Sequence, residues 1–104
     1  EELRPTAIFV SSDIQAFGAV HAIREAGGSC PETVSIISFD DIELASYYGL
    51  TTMHQPIRKL GVLATDRLFA RMDESTLEPL HRRFTPELII HQTTGPPPSR
   101  IGTG

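Results

Sequence analysis

Two short apolar runs that each stop at aspartate, with one helical pattern between them, constrain this chain more than anything else in it. The first, Ile8-Phe9-Val10, passes through Ser11-Ser12 to Asp13. The second, Ser35-Ile36-Ile37-Ser38-Phe39, ends in Asp40-Asp41. Continuous apolar runs of this kind mark strands covered on both faces, because a strand with one wet face alternates. Between them, Ser12-Asp13-Ile14-Gln15 has the S-x-x-Q form of a capping box. Ile14, Phe17, Gly18, His21 and Ala22 follow at helical spacing as far as Glu25. Gly27-Gly28 then ends the helix, since glycine enters the left-handed conformation without a Cβ clash. Strand, helix and strand on such short loops make a βαβ unit with parallel strands and a right-handed crossover. The predicted fold class is α/β.

The rest of the chain continues in the same manner. Ile42 to Tyr48 reads as a short helix or turn broken at Gly49, and Leu50-Thr51-Thr52-Met53-His54 as a strand bounded by Pro56. Proline suits the first turn of the next helix. There Ile57, Leu60, Gly61, Ala64, Leu68 and Met72 form one apolar stripe, with Arg58, Lys59, Asp66 and Arg67 off it. Asp73 to Thr76 is a polar loop, and Phe84 to His91 a last strand with partial alternation. Residues 95–104, with Pro96-Pro97-Pro98, are expected to form a disordered tail.

Composition removes several function classes. The net charge of -4 over 104 residues, with Arg58-Lys59 and Arg82-Arg83 the adjacent basic pairs and no longer basic run, argues against this stretch gripping a phosphate backbone. No apolar run approaches the roughly 20 residues of a membrane helix, and no signal segment opens the chain. A single cysteine, Cys30, excludes an internal disulfide and fits a reducing, cytoplasmic compartment. It lies in the turn Gly27 to Pro31 and reads as a small buried residue. His21, His54, His81 and His91 have no ligand spacing with each other or with Cys30, so neither a metal nor any other cofactor is expected. Glu43, Asp66 and Glu87 show no pairing for acid–base work, no G-x-S-x-G elbow exists, and Gly27-Gly28-Ser29 has no phosphate-loop lysine. An enzyme is not predicted. A start at Glu1 leads to the expectation that the chain is part of a longer protein.

A buried strand that ends in a carboxylate carries charge to the edge of a parallel sheet where ligands bind. The residues along that edge also carry a resemblance. Pro5-Thr6-Ala7-Ile8-Phe9-Val10, Ser12-Asp13, Ala16-Phe17-Gly18-Ala19 and Glu25-Ala26-Gly27 come in order. Pro31-Glu32-Thr33-Val34-Ser35-Ile36-Ile37, Phe39-Asp40-Asp41-Ile42, Leu50-Thr51-Thr52, Gln55-Pro56 and Leu60-Gly61 follow. The set resembles the C-terminal part of the effector-binding core of LacI/GalR transcriptional regulators, over residues 5–94. Ile42 to Tyr47 is especially similar to the purine-repressor branch.

The resemblance implies a periplasmic-binding-protein-like fold (type I), with two α/β lobes and a ligand in the cleft between them. On that pattern residues 5–94 lie mostly in the C-terminal lobe, while the helix within 55–73 joins the N-terminal lobe. The partners implied are a sugar or purine-like effector, a second copy in a homodimer, and operator DNA reached only through a helix-turn-helix outside this chain. Asp40 matches an aspartate that reaches ligand hydroxyl or ring N–H groups; alternatively it caps a turn with Asp41. Ser12 stands where many members have asparagine, and is either a ligand contact or a plain N-cap. Asp13 beside it is a second ligand candidate, or a helix-start carboxylate favoured by the dipole. Ser38 replaces the usual glycine, and Gly49 the usual proline pair. Phe17, Leu44, Tyr47 and Tyr48 are dimer-interface candidates, or ordinary core. A helix and sheet lacking the other lobe would expose apolar faces, so the isolated chain is expected to self-associate.

Two other functions share parts of this pattern. A periplasmic sugar-binding protein of a transporter shares the two lobes. A phospho-accepting receiver also uses an acidic pair after a strand, to hold Mg²⁺. Asp13 precedes that pair and Lys59 lies inside a helical stripe, which disfavours the receiver.

Overall fold

The computed structural model describes residues 4–99. Seven elements follow in chain order: β1 (Ala7–Phe9), α1 (Asp13–Glu25), β2 (Ser35–Asp40), α2 (Glu43–Tyr48), β3 (Thr51–His54), α3 (Ile57–Asp73) and β4 (Glu87–Ile89). The strands form one sheet in the order β1-β2-β3-β4. β1, β2 and β3 run parallel, and β4 pairs antiparallel to β3. This mixed α/β arrangement with parallel strands is the predicted class.

α1 begins as its sequence dictates. Ser12 is the N-cap, with an extended backbone, and its hydroxyl accepts from Gln15 N at 3.3 Å. The returning arm of the capping box differs: the Gln15 side chain is taken by the Ser11 hydroxyl. α2 ends at Gly49, whose φ of 75° is the left-handed conformation that closes a helix. The Gly49 carbonyl then accepts from Gln92 N at 2.8 Å and Thr93 N at 3.1 Å, tying the segment after β4 to the start of β3.

Ala16, Val20, Ile36, Ala45 and Leu50 form the core, drawn from α1, β2, α2 and the entry to β3. β2 and β3 are each buried over about half of their length. β1 departs from the expectation of a strand covered on both faces: all three of its residues are exposed. Among the described residues β1 pairs with β2 alone at the edge of the sheet, and no helix packs extensively over its faces.

The described residues fall into two compact units, Gln55–Pro86 and the remainder. Within the first, α3 buries no residue completely. Leu60, Leu63, Arg67 and Ala70 share its half-buried side. Arg67 and Arg71 donate to the carbonyls of Glu78 and Leu77, so the segment after α3 folds back on that side. Of the predicted stripe, Ile57, Gly61, Ala64, Leu68 and Met72 remain exposed and only Leu60 is half-buried. In the second unit, the expected tail begins with Gly95 anchored by reciprocal 3.1 Å bonds to the Ser35 hydroxyl. Residues 100–104 of that tail lie outside the described residues.

Candidate functional site

The carboxyl edge of the parallel strands gathers the acidic residues. β2 delivers Asp40 and Asp41, and α1 starts at Asp13. Asp40 pairs in register with His54 of β3, and Ser38 with Thr52. Side chains of register partners point to the same face of a sheet. Ser38 and Thr52 therefore meet on one face, and the start of α1 lies against it.

Asp13 is fully buried there. One carboxylate oxygen accepts from the Thr52 hydroxyl at 2.7 Å and from the Ser38 hydroxyl. The other accepts from the Ile42 backbone N–H at 2.8 Å. A carboxylate only accepts hydrogen bonds, and its burial is tolerable when donors surround it. The positive end of α1 adds to that environment. Ser12, half-buried, caps the helix one residue earlier.

Asp40 is half-buried at the strand end, and its backbone is unusual. Its φ is 136°, and that of Asp41 is 62°. Neither is comfortable for a residue with a Cβ, and such conformations persist only where the surroundings impose them. The surroundings here are explicit. Asp41 N donates to the Thr52 hydroxyl at 3.2 Å, and the Asp41 carboxylate meets His54 Nδ1 at 2.9 Å. Ile42 N is held by Asp13. Asp40 thus stands on a rigid turn whose following peptide groups are fixed by a second strand and a helix start.

The predicted site residues are brought together in part. Ser12, Asp13 and Asp40 share this edge, but Asp13 points inward to protein donors. Sequence reasoning missed Thr52, Ser38 and His54 as members of the cluster. The replacement of glycine by Ser38 was the one available signal, because a hydroxyl on a buried strand needs a partner.

Phe17, Leu44, Tyr47 and Tyr48 occupy another face. Phe17 is half-buried against the core, but Leu44, Tyr47 and Tyr48 are exposed, the tyrosines by 77% and 63%. The Tyr48 ring meets Phe17 edge-on at 5.7 Å and Tyr47 at 4.9 Å. An ordinary core role is excluded for the two tyrosines and Leu44. A concavity of about 240 Å³ opens beside them, lined by Phe17, Val20, His21, Arg24, Tyr48 and Leu50 among others. None of Ser12, Asp13 or Asp40 lines it. It is a hollow between α1, the end of α2, Leu50 and Thr93, and shares none of those acidic-edge residues.

Comparison with known proteins gives a consistent answer. Residues 1–94 match the family described as periplasmic binding protein-like domain. The chain is 39% identical over 92 residues to the HTH-type transcriptional repressor PurR of Photobacterium profundum, covering 86% of this chain and 28% of that protein. It is 42% identical over 89 residues to the ribose operon repressor of Escherichia coli, covering 84% of this chain and 27% of that protein. A crystal structure of a LacI family transcriptional regulator from Enterococcus faecium with bound ribose superposes with a TM-score of 0.82 at 33% identity, covering 91% of this chain and 36% of the other. The chain thus spans a little over a quarter of the length of these curated relatives.

Proposed function

The chain belongs to the LacI/GalR family of transcriptional regulators, as the C-terminal part of the effector-binding core, and from that premise we propose that it senses a small metabolite for a DNA-binding repressor. Asp40 is the residue that carries this reading. It sits at the carboxyl end of a parallel strand, on a turn whose conformation the neighbouring elements impose. A carboxylate so placed can accept two donors from one ligand, as vicinal sugar hydroxyls or ring N–H groups would supply. Ser12 contributes a shorter contact from the start of α1.

The effector is a sugar or a purine-like base, and the opposite wall of its cleft comes from sequence outside this chain. Binding shifts the balance between two lobe arrangements, and so biases DNA readers attached to the N-terminal side. The helix within 55–73 belongs with the N-terminal lobe, which would cover its exposed stripe. Phe17, Leu44, Tyr47 and Tyr48 form the contact with a second copy, because a clustered apolar patch of this kind marks an association surface. Operation in the cytoplasm follows from work on DNA. The curated relatives cited are named as repressors, which favours this reading over a transporter's binding protein.

Calorimetric titration of the full-length protein with D-ribose, and with adenine as a free purine base, tests the assignment. Hydrogen bonds to a charged group contribute about 1.5–3 kcal/mol each, so Asp40→Ala is expected to weaken whichever probe binds by at least about tenfold. Equal affinity in Asp40→Ala and wild type would remove Asp40 from the site.

A further inference from the structure

Asp13 poses a problem for the acidic edge. It lies beside Asp40 and Ser12, yet its side chain is completely buried and all of its hydrogen bonds named above go to protein donors. An effector could reach it only by displacing a buried partner. We propose that Asp13, Thr52 and Ser38 form a positioning cluster, which holds the Asp40-Asp41 turn in its binding conformation without touching the effector. This inference rests on the sensing role of Asp40 proposed above.

The geometry makes the case. The cluster draws on α1, β2 and β3, with bonds spanning 25, 29 and 39 residues of sequence. Such separations arise only when all three elements are packed. Thr52 is the pivot. Its one hydroxyl proton goes to Asp13, which leaves a lone pair to accept from Asp41 N. Asp13 accepts from the next peptide, Ile42 N. The two peptide N–H groups that follow Asp40 are therefore both anchored to one buried unit. Ser38, completely buried, commits its own proton to Asp13 and has no route to water.

Anchoring matters because the turn would not keep this shape unaided. Residues with a Cβ at φ of 136° and 62° are strained, and relax toward ordinary backbone when released. Relaxation at Asp40 and Asp41 would swing the Asp40 carboxylate away from the position in which it meets the ligand. The cost then falls on ligand affinity through the fraction of molecules that keep the competent turn.

The test uses the full-length protein with Thr52→Val, which matches threonine in shape but lacks the hydroxyl, and Thr52→Ser, which keeps it. Amide hydrogen exchange without ligand is expected to rise about tenfold at Asp41 and Ile42 in Thr52→Val, with the middle of α1 unchanged, and to return near wild type in Thr52→Ser. Affinity for D-ribose or adenine, whichever wild type binds, falls at least about twofold in Thr52→Val, as the fraction that keeps the competent turn drops to half or less, and recovers in Thr52→Ser. Asp13→Asn gives the same pair of effects if it folds, but the threonine variants decide. Unchanged exchange at Asp41 and Ile42 overturns the cluster. Raised exchange with unaltered affinity also overturns it, by reducing the cluster to a purely structural feature. If wild type binds neither probe, the sensing reading fails, while the exchange result still decides whether the turn is held as described.

Discussion

Replacing Asp13 with alanine is the most informative stability test of this fold. The substitution deletes the acceptor shared by the Ser38 hydroxyl, the Thr52 hydroxyl and the Ile42 N–H. Ile42 is half-buried and can find water, but Ser38 and Thr52 are completely buried. A buried donor left without a partner costs about 1–3 kcal/mol, so the two hydroxyls together give roughly 2–6 kcal/mol. Against the 5–15 kcal/mol typical of a domain, that removes a large part of the margin. The mechanism can be separated from simple loss of packing. Orphaned donors are the cause, so removing them as well should help. Asp13→Ala combined with Ser38→Ala and Thr52→Val replaces both buried hydroxyl partners by apolar groups, leaving the Ile42 N–H to water, and is expected to be more stable than Asp13→Ala alone. Urea unfolding of the full-length protein, followed by far-UV circular dichroism, gives the midpoints at constant slope. A cost below about 1 kcal/mol for Asp13→Ala, or a triple variant no better than the single, would refute the reasoning.

Three further outcomes follow from particular contacts. Gly49→Ala should destabilise by about 1–2 kcal/mol, because its φ of 75° is left-handed, whereas the clash with the Gln92 side chain is relieved by swinging that side chain aside; thermal unfolding that is unchanged from wild type would contradict this. The Cys30 thiol is pushed above its ordinary pKa, first by burial and then by Glu32, with Arg24 opposing; between pH 7 and 9 it should react with iodoacetamide more slowly in the native protein than in urea, and equal rates would be inconsistent with that shift. Tyr47→Arg places a charge on the most exposed ring of the aromatic patch; sedimentation of the full-length protein is expected to show weaker self-association, and an unaltered dimer would move the interface elsewhere.

How far the sequence could be read depended on the range of the interactions involved. The N-cap at Ser12, the glycine stop at Gly27 and the end of α2 at Gly49 are local, and each was legible because the chemistry lies within four residues, although the Gln15 arm of the predicted capping box turned to Ser11 instead. The acidic pair closing β2 was equally plain, since a strand that runs into Asp40-Asp41 announces its own end. The buried state of β1 was misread for a physical reason. An apolar run indicates that a strand can be covered, but the elements packed on its faces decide whether it is, and among the described residues β1 makes its substantial contacts with β2 alone. The stripe on α3 was found from spacing, whereas its exposure reflects which partners are present to bury it.

What the sequence alone determined was the order of strands and helices and the helix stops at Gly27 and Gly49, because backbone preference and hydrophobic period act over a few residues at a time. Tertiary structure decided what the carboxylates do. The register that sets Ser38 opposite Thr52, with the start of α1 packed over both, turns Asp13 inward as the hub of a buried cluster and leaves Asp40 at the strand edge. No local pattern encodes that difference between two aspartates at the ends of similar strands. It arises from contacts between residues 25 to 39 positions apart, which exist only once the sheet has assembled.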